Sequence, residues 1–63
     1  MKESEMRPYR IRYKKEAKEW LFYIKAENAS FAVTDFLLRT GSARERVISV
    51  EEFFGRKWKR VPF

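Results

Sequence analysis

Apolar and charged residues alternate strictly through Tyr9-Arg10-Ile11-Arg12-Tyr13-Lys14, with apolar side chains at 9, 11 and 13 and cations at 10, 12 and 14. A period of two is that of a half-buried strand, whose successive side chains point to opposite faces. Such a strand buries Tyr9, Ile11 and Tyr13. It presents Arg10, Arg12 and Lys14 as a positive row spaced about 6.6 Å per step, which suits a phosphate backbone. Pro8 has no N–H to give a ladder and fits the opening of an edge strand.

Two periods fit Glu16 to Ala26. As a helix it makes a stripe of Ala17, Trp20, Leu21 and Ile24, with Glu16 and Lys18 as good helix formers, but leaves Phe22 and Tyr23 off that stripe. As a strand it puts Trp20, Phe22, Ile24 and Ala26 on one face and exposes only Leu21 and Tyr23 between charged neighbours. The strand accounts for more of the aromatic residues, which favour pleated surfaces. The connection Lys15-Glu16-Ala17-Lys18 carries no Asn-Gly or Asp-Gly pair, so the pattern predicts a longer loop built on a type I turn.

From Asn28 the spacing changes to that of a helix. Asn28 is a competent N-cap, Ala29, Val33, Phe36, Leu37 and Thr40 recur on one side, and Gly41 marks the stop. Asp35 and Arg39 stand four apart and can pair on the outer face. Phe31 and Leu38 fall off the stripe. A wide buried face, as for a helix lying across a sheet, accounts for both; a partner or dimer contact is the alternative.

The β-branched run Arg46-Val47-Ile48-Ser49-Val50 reads as a third strand. Ser49 and Glu52 have the Ser-x-x-Glu spacing of a capping box, which predicts a single helical turn through Phe53 and Phe54 that stops at Gly55. Residues 56–63 are either a fourth, edge strand or a mobile tail. The fold class expected is therefore α+β: a small β-β-α-β domain, an antiparallel hairpin plus a third strand, with one helix packed on one face. A short C-terminal helical turn and the basic terminal segment complete it. Residues 1–6 are expected to be disordered and 7–63 to form one domain.

Composition narrows the chemistry. A chain of 63 residues buries only about 60% of the surface its unfolded form exposes, so small domains of this size often depend on disulfides, a metal or assembly. With Cys 0 and His 0, disulfides and the usual zinc sites are excluded. Aromatic packing, at 17% of residues, or a homodimer must compensate. The commonest general bases and nucleophiles are missing too. Glu51 and Glu52 are adjacent and do not converge, Asp35 is the single aspartate, and two glycines make no phosphate-cradling loop. No enzyme, cofactor, metal site or small-molecule substrate is expected. No apolar run resembles a signal-peptide core or reaches the length of a membrane span, so a cytoplasmic location away from membranes is expected.

The net charge of +6 is concentrated. Residues 7–18 carry six cations against one glutamate, and residues 56–63 carry four cations with no acid, around a nearly neutral centre. Two hypotheses follow. A nucleic-acid-binding module would use Arg10, Arg12 and Lys14 with Arg56, Lys57, Trp58, Lys59 and Arg60, because an aromatic among cations can stack a base while phosphates are neutralised beside it. In the blander alternative Trp58 packs on the core and the cations keep a small protein solvated. A protein-binding or inhibitor module, or a homodimer, would instead use the surplus aromatics Tyr23, Phe31, Phe53 and Phe54. The two basic clusters must meet on one surface for the first hypothesis to gain on the second.

Overall fold

The computed structural model describes residues 6–63. Strands β1 (Arg7–Lys15) and β2 (Lys18–Ala26) form a hairpin, helix α1 (Ala29–Thr40) follows, and a 3-10 turn (Arg44–Arg46) leads into a second hairpin of β3 (Val47–Phe54) and β4 (Lys57–Val61). All neighbours are antiparallel, in the order β2-β1-β3-β4. The chain is an α+β fold with its helix on one face of a four-stranded sheet.

The core forms where the apolar parity of β1 meets that of β2, β3 and α1. Tyr9, Ile11, Ala26, Ala32, Val33, Phe36 and Val50 are buried. Phe36 is the centre: its ring lies 4.8 Å from that of Tyr13 and 5.1 Å from that of Phe22, both edge-on, the geometry that aromatic quadrupoles favour. β4 contributes only Val61 at the margin of this core. The helix ends form as their sequence implies. Asn28 Oδ1 accepts from the Phe31 N–H at 2.9 Å, Gly41 takes φ +71° with its N–H donating to the Leu37 carbonyl, and Arg39 Nε donates to Asp35 Oδ1 at 3.0 Å.

Several expectations are corrected. β1 is a central strand, not an edge: Pro8 is opposite Lys25 of β2, while the β3 ladder starts only at Tyr9 opposite Glu52, so the missing N–H falls outside that ladder. The β1–β2 connection is a two-residue turn, not a longer loop. Glu16 and Ala17 take φ of +54° and +65°, the positive values of a type I′ turn, whose twist matches that of the strands even without glycine. The capping box does not form, because β3 runs through Phe53 and Phe54 and pairs to Glu52 with β1 and to Phe54 with β4. Two ladders and a β-branched, aromatic run outweigh one local cap. Gly55 therefore opens a second two-residue turn with Arg56, at φ +63° and +69°.

Arg46 belongs to the 3-10 turn instead of the third strand. The buried face of α1 is narrow, leaving Phe31 55% and Leu38 79% exposed. The terminal segment is a strand through Val61. The expectation of disorder over residues 1–6 lies, apart from Met6, outside the described residues. Among the described residues no helix is long and apolar enough to cross a membrane.

Candidate functional site

Among the described residues, the face of the sheet turned away from α1 carries no helix, and strand alternation decides what stands on it. Ile11 and Val50 point into the core, so Arg10, Arg12 and Lys14 of β1 point the other way. Register places Tyr23 and Glu51 on either side of Arg10, with Arg60 beyond Glu51. Leu21 and Ser49 flank Arg12, and Lys25 and the Phe53–Trp58 pair occupy the same face at the Pro8 end.

The centre of this face is a guanidinium held on three sides. Arg10 Nε donates to Glu51 Oε1 at 2.6 Å, its guanidinium carbon lies 4.5 Å from the centre of the Trp58 ring, and the Tyr23 hydroxyl also interacts with it. The Trp58 ring lies 5.8 Å from that of Tyr23 and 5.1 Å from that of Phe53. A planar cation over an indole is attracted by the ring quadrupole, so the stack joins β1 of the first basic cluster to β4 of the second. Tyr23 and Phe53 remain 59% and 39% exposed around it.

Electrostatics shows the same convergence. The Glu51 carboxyl is held below the usual carboxylate range, first by the hydrogen bond from Arg10 against the opposing effect of burial, then by the charges of Arg10, Arg12 and Arg60. Arg10 is raised above its ordinary value chiefly by that same hydrogen bond. One carboxylate thus lies in the field of cations from both ends of the chain. Arg12 lies 3.6 Å from the Glu19 carboxylate in a partly exposed pair, a contact of little energetic weight. Ser49 is buried with its Oγ unpartnered, an arrangement that costs about 1–3 kcal/mol.

Arg10, Arg12, Lys14, Trp58 and Arg60 of the anticipated nucleic-acid set share the open face. Lys57 and Lys59 do not: they stand opposite Phe54 and Glu52, on the side of the sheet that bears the helix, where the Lys59 ammonium lies 5.7 Å from the Phe54 ring. Arg56 sits in the turn. The anticipated protein-contact set divides in the same way, with Tyr23 and Phe53 joining the open face, Phe54 on the other side and Phe31 on the outer flank of α1. Lys25 and Glu51 belong to the site and were not anticipated in it. Parity was the signal available: Lys25 shares that of Tyr23, Glu51 shares that of Phe53, and a tail read as a strand separates 58 and 60 from 57 and 59.

Glu51 and Glu52, adjacent in sequence, pair on opposite sides of the sheet with Arg10 and with Arg7, the latter at 2.8 Å. Among the described residues no cluster of three or more acidic side chains could hold a metal ion. No family model, curated protein or solved structure matches this chain.

Proposed function

We propose that the chain is a non-catalytic module that binds single-stranded nucleic acid on the open face of its sheet. The observation that carries this reading is the Tyr23, Phe53 and Trp58 cluster locked around Arg10 on a surface that also bears Arg12, Lys14, Lys25 and Arg60. Every base has a π-face, so exposed rings offer stacking of about 1–3 kcal/mol per base without demanding a sequence. The surrounding cations neutralise phosphates and release their counterions. Four-stranded sheets that stack bases on exposed aromatics are a recurrent way of holding unpaired RNA.

The roles differ within the site. Arg10 is already engaged by Glu51, so it acts as a positioning residue that fixes Trp58. Arg12, Lys14, Lys25 and Arg60 are the phosphate contacts, and Tyr23, Phe53 and the uncovered part of Trp58 are the stacking surface.

The test is a titration with short single-stranded oligonucleotides in a Trp20→Phe background, where Trp58 is the remaining tryptophan. Saturable quenching is expected. Four phosphate contacts at about 0.7 each give a slope of log affinity against log salt near −3. Unchanged fluorescence and unchanged gel mobility at low salt would refute the proposal.

A further inference from the structure

The two outer strands of the sheet are defended unequally. β4 is five residues long, and Lys57, Lys59 and Arg60 crowd it with one sign of charge before Pro62, the devices that discourage another chain from pairing there. β2 is nine residues long, Lys-Glu-Trp-Leu-Phe-Tyr-Ile-Lys-Ala. It has no proline and a net charge of only +1, and its centre is aromatic and aliphatic. A long apolar edge of this kind is a template for strand addition.

Among the described residues, the backbone groups that β2 leaves unpaired follow from the turn. In a two-residue hairpin the flanking pair, Lys15 and Lys18, exchanges hydrogen bonds. Even-numbered residues of β2 therefore bond to β1, and the N–H and C=O groups of Glu19, Leu21, Tyr23 and Lys25 point to the open edge. Pro8 agrees with this parity, since it stands opposite the odd-numbered Lys25, where β1 gives β2 no hydrogen bond.

We propose that a second copy of this chain occupies that edge, with β2 pairing antiparallel to β2 about a two-fold axis through Phe22. In this register Leu21 faces Tyr23 of the second copy, Trp20 faces Ile24, and Glu19 faces Lys25, so two opposite-charge pairs close the two ends. Shifting by two residues in either direction loses that pairing: one shift sets Glu19 against Tyr23, the other against Glu27. The odd-numbered residues that face each other are those with free hydrogen-bonding groups.

The flank of α1 points to the same edge. Phe31 and Leu38, the exposed apolar residues of the helix, line a groove with Lys25, Ala26 and Met6 beside β2. The two-fold axis carries both helices on the same side of an eight-stranded sheet and turns these flanks toward each other. The open faces of the two copies become continuous. None of this depends on nucleic acid, so the assembly and the proposed binding stand or fall separately.

The experiment is sedimentation equilibrium of the whole chain across a wide concentration range, with amide exchange followed residue by residue. Dimer formation is expected, with the Glu19, Leu21, Tyr23 and Lys25 amides gaining protection as concentration rises. Glu19→Lys should weaken the dimer about ten-fold, since two symmetric cross-strand attractions become repulsions. Adding Lys25→Glu should restore it, and that rescue separates the contact from a folding defect. A monomer at all concentrations overturns the proposal, as does a dimer indifferent to Glu19→Lys or one that protects the β4 edge instead.

Discussion

The two hairpins of this sheet share a turn geometry and differ in nearly everything that stabilises them. The first, β1–β2, lies beneath α1 and sends Tyr9, Ile11, Tyr13, Phe22 and Ile24 into or against the core. The second, β3–β4, reaches the core through Val47, Val50 and Val61 alone. What holds its far end is on the other face, where Trp58 packs against Phe53, Tyr23 and the Arg10 guanidinium. A small sheet with one helix cannot cover both faces. The aromatic cluster that ties β4 down is therefore also the exposed surface offered to a ligand.

Removing the covered side of this comparison gives the largest effect. Phe36 is fully buried between Tyr13 and Phe22, and Phe36→Ala should cost about 3–5 kcal/mol. That is most or all of the stability expected of a chain this short. Val61→Ala, which trims the second hairpin's margin, should cost about 1–2 kcal/mol or less by loss of two methyl groups. Urea denaturation followed by circular dichroism measures both. Equal losses at the two sites would show that the second hairpin leans on the core as heavily as the first.

On the open face the expected effects are on binding. Trp58→Ala should weaken single-stranded oligonucleotide affinity by about 1–3 kcal/mol. Lys14→Gln should weaken it evenly across sequences and flatten the salt slope by about 0.7. Phe53→Ala is the companion for Trp58→Ala, since it removes a ring without dislodging the Arg10 stack. If both aromatic variants lose stability and neither loses affinity, the cluster is only a brace for β4.

The legible part of the sequence was its parity and its caps. Alternation in 9–14, the aromatic face of 20–26 and the Asn28 to Gly41 helix all follow from spacing, because burial on one face leaves a period that a single chain displays. Three things did not show. The turn at Glu16–Ala17 uses left-handed backbone without the residues that favour it, so strand pairing decided it against local preference. Ser49 and Glu52 spelled a helix start inside a strand because a cap depends on the local chain, whereas two ladders depend on β1 and β4, far away in sequence. The meeting of Arg10 with Trp58 depends on strand order, which spacing along one chain does not contain. The candidate site was thus half visible: its residue types were in view, its division between two faces was not.

The turns allow a sharper contrast of opposite sign. Ala17 at φ +65° and Gly55 at φ +63° occupy the same backbone region, where a Cβ costs about 1–2 kcal/mol. Ala17→Gly should raise stability by about 1 kcal/mol and Gly55→Ala should lower it by a similar amount. No neighbour lies within 4 Å of the Cβ that Gly55→Ala would add, so the loss would be one of backbone alone. For a domain of this size about 1 kcal/mol moves the melting temperature by roughly 4–8 °C. Shifts of the same sign would mean that the unfolded chain, not the turn, dominates both substitutions.

The smallest effect lies on the seam between the hairpins, where Arg10 of β1 meets Glu51 of β3. Because the folded Glu51 carboxyl is held below its ordinary value, mainly by the Arg10 hydrogen bond, its contribution is fully present above the unfolded carboxylate range. It fades as pH falls through the folded value, when protonation removes the charge that the guanidinium needs. Both side chains keep some contact with solvent, so screening holds the contribution to about 1 kcal/mol or less. Glu51→Gln should accordingly be slightly less stable than the parent at neutral pH, with the gap closing in acid. Paired thermal melts along a pH series measure it. A gap that widens in acid would give the wrong sign and place the Arg10 anchor on Trp58 and Tyr23 instead of on the carboxylate.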